Sequence, residues 1–293
     1  MISGKVFRTV SHKCWDGQQR IIDMDEIGIE KQVLSPMPEL LSYWLPAEEA
    51  VILVRHLNRE IARMVALYPS RFYGLGAVPL QNVTCAIREL EYIVKGLGLA
   101  GIEIGTNING TPIGDPSFDE FFAAAQELGA AIFVHPLRPC GMERLVGPAM
   151  LEQVLGFPCE TGLAAASLLT NGTLIKYPRL RIALSHGGGS FSALAARLNH
   201  AWGIFPALQE LMKEAPLATA KKFYVDSLVY NSDVLTHQLK FFGVDRTIIG
   251  TDYPFVIQES DPLRRISEVE LNEHQIQLLY RQNALNWLGK IEE

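Results

Sequence analysis

Cysteine is scarce in this sequence and badly placed for a structural role. Its four copies stand at positions 14, 85, 140 and 159 of 293, with no CxxC and no short spacing. A disulfide framework or a structural zinc ribbon needs closer pairs, so neither is expected. Reduced, mostly buried thiols are the expectation, and they fit the cytoplasm. No stretch approaches the ~18 consecutive apolar residues of a membrane span. The opening MISGKVFRTVSHKCWDG lacks the apolar segment of a signal peptide, so neither export by that route nor a membrane anchor is expected. Positive charge is in deficit, with 26 Lys and Arg against 32 Asp and Glu and a formal net charge of −6. Binding to phosphate backbones rests on clustered Lys and Arg, so no nucleic-acid partner is expected. Catalytic signatures are missing as well: the sequence holds no HExxH, no GxSxG, no Cys–His nucleophile pattern, and no GxGxxG or Walker spacing. Serine hydrolase, cysteine protease and phosphate-loop chemistries therefore have no support.

What is present is ordinary globular material, 48% apolar and 20% charged, arranged as an alternation. Short apolar runs at 31–35 (KQVLS), 72–78 (FYGLGAV), 99–104 (LAGIEI), 131–134 (AIFV), 181–185 (RIALS), 223–226 (FYVD) and 246–250 (RTIIG) read as strands. Such runs are the pattern of parallel strands buried on both faces. Helical periodicity fills 18–27, 47–67, 83–95, 118–128, 190–200 and 232–242. Asn82 and Ser232 are expected N-caps, and Asp115 is expected to cap a helix that has Pro116 in its first turn. Repeated βα units predict an α/β fold with a parallel sheet, and no linker or repeat divides the chain, so residues 1–293 are expected to form a single domain.

The strand count sharpens the expectation. A closed (β/α)₈ barrel needs eight strands, and the pattern supplies seven. The helix at 18–27 feeds the KQVLS strand, yet no comparable buried strand precedes it. Residues 6–10 are the one alternative, and Arg8 makes them look like surface structure. The expected fold is a TIM-like (β/α)₈ barrel whose first strand is missing.

Polar residues at the strand ends carry the chemistry. AIFV runs into His135, RIALS into His186 with Gly187, Gly188 and Gly189 behind it, FYVD ends in Asp226, and RTIIGT ends in Asp252. Four ionisable groups thus fall at the carboxyl ends of four strands, where this architecture keeps its catalytic residues. A lone histidine after a strand is more often a hydrogen-bonded loop residue; four positions agreeing on one rim favour a site. His and Asp are also ligands for zinc or a similar divalent ion. The remaining histidines (His12, His56, His200, His237 and His274) lie in helical patterns or in SHKC and read as surface or satisfied residues.

The blocks FVHP (133–136), LSHGGGSFSALAARLNHAW (184–202), FYVDSLVYN (223–231) and IIGTDYPF (248–255) resemble the amidohydrolase-related decarboxylase family. The likeness extends to SGKVFR (3–8), AVPLQN (77–82), GIEIGTNING (101–110) and FPCETGLA (157–164), and so to nearly the whole chain. It implies a TIM-like barrel of the metal-dependent hydrolase superfamily and a metal-dependent carboxy-lyase acting on a small unsaturated or aromatic carboxylic acid, with zinc or a similar divalent metal and no organic cofactor. It implies roles position by position: His135 a metal ligand, Asp252 a metal ligand that also handles a proton, and His186 the general base. Arg8 and Arg197 match arginines that grip substrate carboxylates, the second reaching into a neighbouring subunit, so a homodimer is implied; on the residues alone Arg197 reads as a solvated helix charge. One departure stands out. The family's first strand ends in an HxH pair of metal ligands, and this sequence has no HxH, so the resemblance implies a weak or empty metal site. Two rival expectations follow, a metal-dependent hydrolase of the same superfamily, or an inactive barrel serving as a binding or assembly partner.

Overall fold

The computed structural model describes residues 9–290. Its strands are β1 (Gln32–Leu34), β2 (Phe72–Ala77), β3 (Gly101–Gly105), β4 (Asn107–Ile108), β5 (Thr111–Pro112), β6 (Ala131–His135), β7 (Arg181–Leu184), β8 (Tyr224–Asp226) and β9 (Thr247–Ile248). The helices are α1 (Gly17–Glu26), α2 (Ala47–Leu67), α3 (Val83–Glu91), α4 (Asp119–Glu127), α5 (Phe157–Thr170), α6 (Thr173–Lys176) and α7 (Phe191–Ile204). They continue as α8 (Pro206–Leu211), α9 (Pro216–Ala220), α10 (Ser232–Phe242), α11 (Pro262–Ser267), α12 (Glu273–Gln277) and α13 (Asn283–Leu288).

Seven strands form one parallel sheet in the order β1-β2-β3-β6-β7-β8-β9. All seven expected strands are there, and the sheet follows their chain order, as βα repeats with same-handed crossovers dictate. Among the described residues no strand bridges β9 and β1, the place an eighth would take in a closed barrel. Residues 6–8, with Arg8, lie outside the described residues.

Alternation along the strands creates two cores. Ile102 and Ile104, Ile132 and Val134, and Ile182 and Leu184 face outward into the helical layer, against Leu90, Phe121 and Phe122. Leu75, Ala131, Ala183, Tyr224 and Ile248 face the other way, where Phe133, Trp287 and Leu288 pack with them. The inner residues come from every second position, the period of a pleated strand. Helix α13 covers the N-terminal end of this interior: Arg181, the first residue of β7, donates from Nε to the Trp287 carbonyl at 2.7 Å. The opposite, C-terminal rim is left to the βα loops. A buried asparagine ties helix to sheet at β2: Asn58 donates to the Ala77 carbonyl at 2.9 Å and accepts from the Ala77 N–H at 2.7 Å.

Two local expectations are corrected. The cap of α10 is Asn231, which accepts from the N–H groups of Asp233 and Val234; Ser232 instead gives its hydroxyl to Glu268. Asparagine reaches both donors from the residue before the helix, and a serine one position later cannot. The cysteines are not mostly buried, since Cys14 and Cys85 are half-buried and Cys140 and Cys159 exposed. Cys140 lies in the long loop after β6 and Cys159 in the first turn of α5, both outside either core. The stretch 107–117 holds the β4–β5 hairpin, and 136–158 carries two short helical turns before α5. Asn82 does cap α3, accepting from the Cys85 N–H at 3.0 Å. Asp115 accepts from the Ser117 N–H at the turn with Pro116 that opens α4.

Candidate active site

Three of the four strand-end residues meet. One ligand atom from each of His135, His186 and Asp252 lies within 4.8 Å of the others. His135 is the last residue of β6, level with Gly105 on β3. Its Nδ1 lies 3.0 Å from the Pro136 carbonyl, which can only accept. The proton therefore sits on Nδ1, and Nε2 presents its lone pair, the arrangement found in metal-ligating histidines.

His186 follows β7 in a left-handed conformation, with φ 55°. Its ring lies 5.0 Å from that of His135, and the first residue of α5, Phe157, packs against both rings. Burial, reinforced by His135 alongside, pushes the His186 imidazole down to about 3, so it is neutral at ordinary pH. Gly187, Gly188 and Gly189 continue the left-handed run with φ of 63°, 78° and 59°. A Cβ on Gly188 would stand 2.8 Å from the Phe242 ring. The glycine triplet is thus required by close packing as well as by conformation.

Asp226, the fourth rim residue, points elsewhere. Its carboxylate accepts from the backbone N–H groups of His186 (3.0 Å), Gly187 (2.8 Å) and Leu228 (3.1 Å). Burial pushes this carboxyl up to about 7 in spite of those three donors. Its place is behind the His186 turn.

Asp252 lies four residues beyond β9, on a loop where it too takes a left-handed conformation, with φ 57°. The next residue fixes that loop: the Tyr253 hydroxyl donates to Asp23 of α1 at 2.6 Å, and Lys13 and Gln19 bind the same carboxylate. The Arg20 guanidinium covers the Tyr253 ring at 4.8 Å.

Sequence reasoning passed over Glu103. It sits in the middle of β3, is 1% exposed, and its Oε1 has no hydrogen-bond partner. Burial raises this carboxyl well above the carboxylate range, with the Ser35 hydroxyl pulling it back and Glu39 and Asp252 adding to the rise. The expected arginines are not in the cluster: Arg8 is outside the described residues, and Arg197 is exposed on α7.

Two imidazoles and a carboxylate on one rim are a donor set for a borderline divalent ion, zinc and manganese among them. Comparison with known proteins agrees. The amidohydrolase family model matches residues 9–290. The chain belongs to the amidohydrolase family. It is 37% identical over 291 residues, 99% of this chain and 81% of the relative, to the 2-amino-3-carboxymuconate-6-semialdehyde decarboxylase of Dictyostelium discoideum. Among solved structures it superposes on 2,6-dihydroxybenzoate decarboxylase in complex with 2,6-dihydroxybenzoate, with TM-score 0.83 and 26% identity over 92% of this chain and 87% of that one. A dihydroxybenzoic acid decarboxylase from Polaromonas sp. JS666, with bound manganese and the inhibitor 2-nitroresorcinol, matches with TM-score 0.80 and 26% identity over 92% of this chain and 85% of that one.

Proposed function

We propose that this chain is a metal-dependent carboxy-lyase that removes CO₂ from a small unsaturated or aromatic carboxylic acid. The observation that carries the proposal is the convergence of His135, His186 and Asp252 within 4.8 Å on the C-terminal rim. The decarboxylase relatives make 2-amino-3-carboxymuconate-6-semialdehyde the first substrate to try and dihydroxybenzoates the second.

His135, through Nε2, and Asp252 would hold the divalent ion, manganese or zinc. When bound, that ion supplies positive charge that polarises substrate oxygens. His186 is the group assigned to accept a proton at its ring nitrogen and return it. Loss of CO₂ leaves the electron pair of the broken C–C bond on the substrate carbon, which must take up one proton; Asp252 on the same rim is the group assigned to relay it, after first accepting that proton from solvent or from His186. Arg8 and Arg197 grip substrate carboxylates through charge-assisted hydrogen bonds.

Arg197 serves a neighbouring copy in this reading, so the working unit is a homodimer. The surface around it supports that: Leu194, Ile204 and Phe205 on and beside α7 are 53%, 56% and 57% exposed, an apolar surface that a second copy would cover. The four cysteines, none of them in a disulfide, support a reducing compartment, the cytoplasm.

The test is a substrate screen on the full chain supplied with Mn²⁺, scored for CO₂ release and for ester, amide or lactone hydrolysis. CO₂ release that disappears in His135→Ala supports the reading. Hydrolysis without CO₂ release replaces it with the hydrolase, and no turnover of any substrate replaces it with a binding barrel.

A further inference from the structure

Asp252 comes within 4.8 Å of His135 and His186 from a loop, not from a strand. Its backbone is left-handed, with φ 57°. A residue with a side chain is strained in that region and stays there only where its surroundings hold it. Bonds inside the loop set the local path of the chain. The Phe255 N–H donates to the Asp252 carbonyl and the Glu259 N–H to the Thr251 carbonyl, both at 2.9 Å. Neither bond fixes where the loop stands relative to β6 and β7, the strands that lead to the two histidines.

Side chains of α1 supply that constraint. The Tyr253 hydroxyl donates to Asp23 at 2.6 Å, the short distance of a hydroxyl on an ionised carboxylate. Lys13 Nζ and Gln19 Nε2 donate to the same carboxylate at 2.6 and 2.9 Å, so Asp23 is itself held in place. Arg20, on the preceding turn of α1, is 8% exposed and seats the ring. Its guanidinium covers Tyr253 at 4.8 Å and donates from Nη1 to Gln32, the first residue of β1, at 2.9 Å. Among the described residues no strand joins β9 to β1. Helix α1 therefore bridges, through side chains, the loop that leaves β9 and the strand at the far end of the sheet.

We propose that Asp23 is a positioning residue of the metal site. By holding the Tyr253 hydroxyl it sets the neighbouring Asp252 carboxylate at the distance from His135 and His186 that a divalent ion needs. Asp23 acts through Tyr253 and does not touch the ion. The inference rests on the metal-site reading above and adds to it the device that aims one ligand.

The experiment is a titration of the chelator-stripped full chain with MnCl₂, followed by the electron paramagnetic resonance signal of free Mn²⁺. The melting temperature of each metal-free variant is measured beside it. Tyr253→Phe removes the hydroxyl and keeps the ring under Arg20. Its Mn²⁺ dissociation constant should rise about tenfold, the lower end of the range for groups that orient metal ligands. Asp23→Ala should show the same rise, and the double variant no more than either single one, because all three lose one and the same bond. Lys13→Ala takes an equally short ion pair from Asp23 without touching Tyr253. It should lower the melting temperature and leave the affinity at the parent value, which a purely structural role for the cluster would not separate. Tyr253→Phe carries the test if Asp23→Ala does not fold. Parent-like affinity in Tyr253→Phe, or a loss in Lys13→Ala as large as in Tyr253→Phe, overturns this inference alone and leaves the cluster to the fold. Absence of Mn²⁺ binding in the parent overturns the metal-site reading and this inference together.

Discussion

The Asp226 carboxylate at the end of β8 holds the backbone of His186 after β7, accepting its N–H at 3.0 Å and that of Gly187 at 2.8 Å. The left-handed turn that presents the imidazole is therefore braced from the neighbouring strand. Asp226→Asn keeps one acceptor oxygen but turns an NH₂ group toward a backbone N–H. The expected result is a folded protein destabilised by about 2 kcal/mol, in the range for a lost hydrogen bond to a buried charged group. Catalysis should fall by about 10²-fold, the cost of a small displacement of a reacting group. Denaturant midpoints and CO₂ release check the two effects. An unchanged rate would show that the His186 turn is held by its glycines alone.

A second brace gives a pH signature. Burial would raise the Asp23 carboxyl, but hydrogen bonds from Lys13, Tyr253 and Gln19 outweigh it and hold the group down at about 2. An unfolded aspartate titrates near ~3.9. The folded form therefore binds fewer protons than the unfolded form between these values, so its stabilisation is complete above pH ~4 and is lost as pH falls toward 2. Melting temperatures of parent and Asp23→Asn should differ at neutral pH and converge between pH 4 and 2. A difference that stays constant across that window would remove Asp23 from the acid transition.

The parts of the molecule that sequence made legible share a physical reason. Strands buried on both faces are written as short apolar runs, so all seven could be located, and His135, His186 and Asp252 were conspicuous because polar residues ended three of those runs. Where signals conflict, the pattern is silent. Helix α5 was not expected, since Pro158 and Gly162 suggest a break; Pro158 occupies the first turn, where its missing N–H has no partner to lose. Glu103 inside GIEIG reads as a single polar interruption of a strand, and only its burial and unbonded oxygen single it out. Asp226 shows the converse, a residue legible as a rim acid whose partners turned out to be backbone N–H groups.

His186 stands among the possible ligand atoms and is also the assigned base, and one substitution separates the roles. His186→Ala, supplied with Mn²⁺, should lower kcat by about 10²–10⁴, the usual contribution of a positioned acid or base. Metal content should hardly change, because His135 and Asp252 remain. Elemental analysis of the variant decides the assignment. Loss of the ion with the side chain would make His186 a ligand and leave the base to be found elsewhere.

The last prediction concerns sharing of the site between two copies. Arg197 is exposed on α7, the helix that begins directly after the glycine turn of His186, so its long side chain is available to a neighbour across that helix. In the proposed homodimer each site draws Arg8 from one copy and Arg197 from the other. Arg8→Ala and Arg197→Ala proteins should then each be nearly inactive, since either change leaves a substrate carboxylate without its bidentate partner in both sites. Mixed and allowed to exchange subunits, they should regain up to about half of the parent activity per heterodimer, because two-fold symmetry puts both defects in one site and neither in the other. The measurement is CO₂ release after mixing, with exchange followed by mass spectrometry of differently tagged copies. Exchange without recovered activity would place Arg197 in its own chain's site or in none, and would leave the exposed apolar face of α7 without a catalytic reason to be covered.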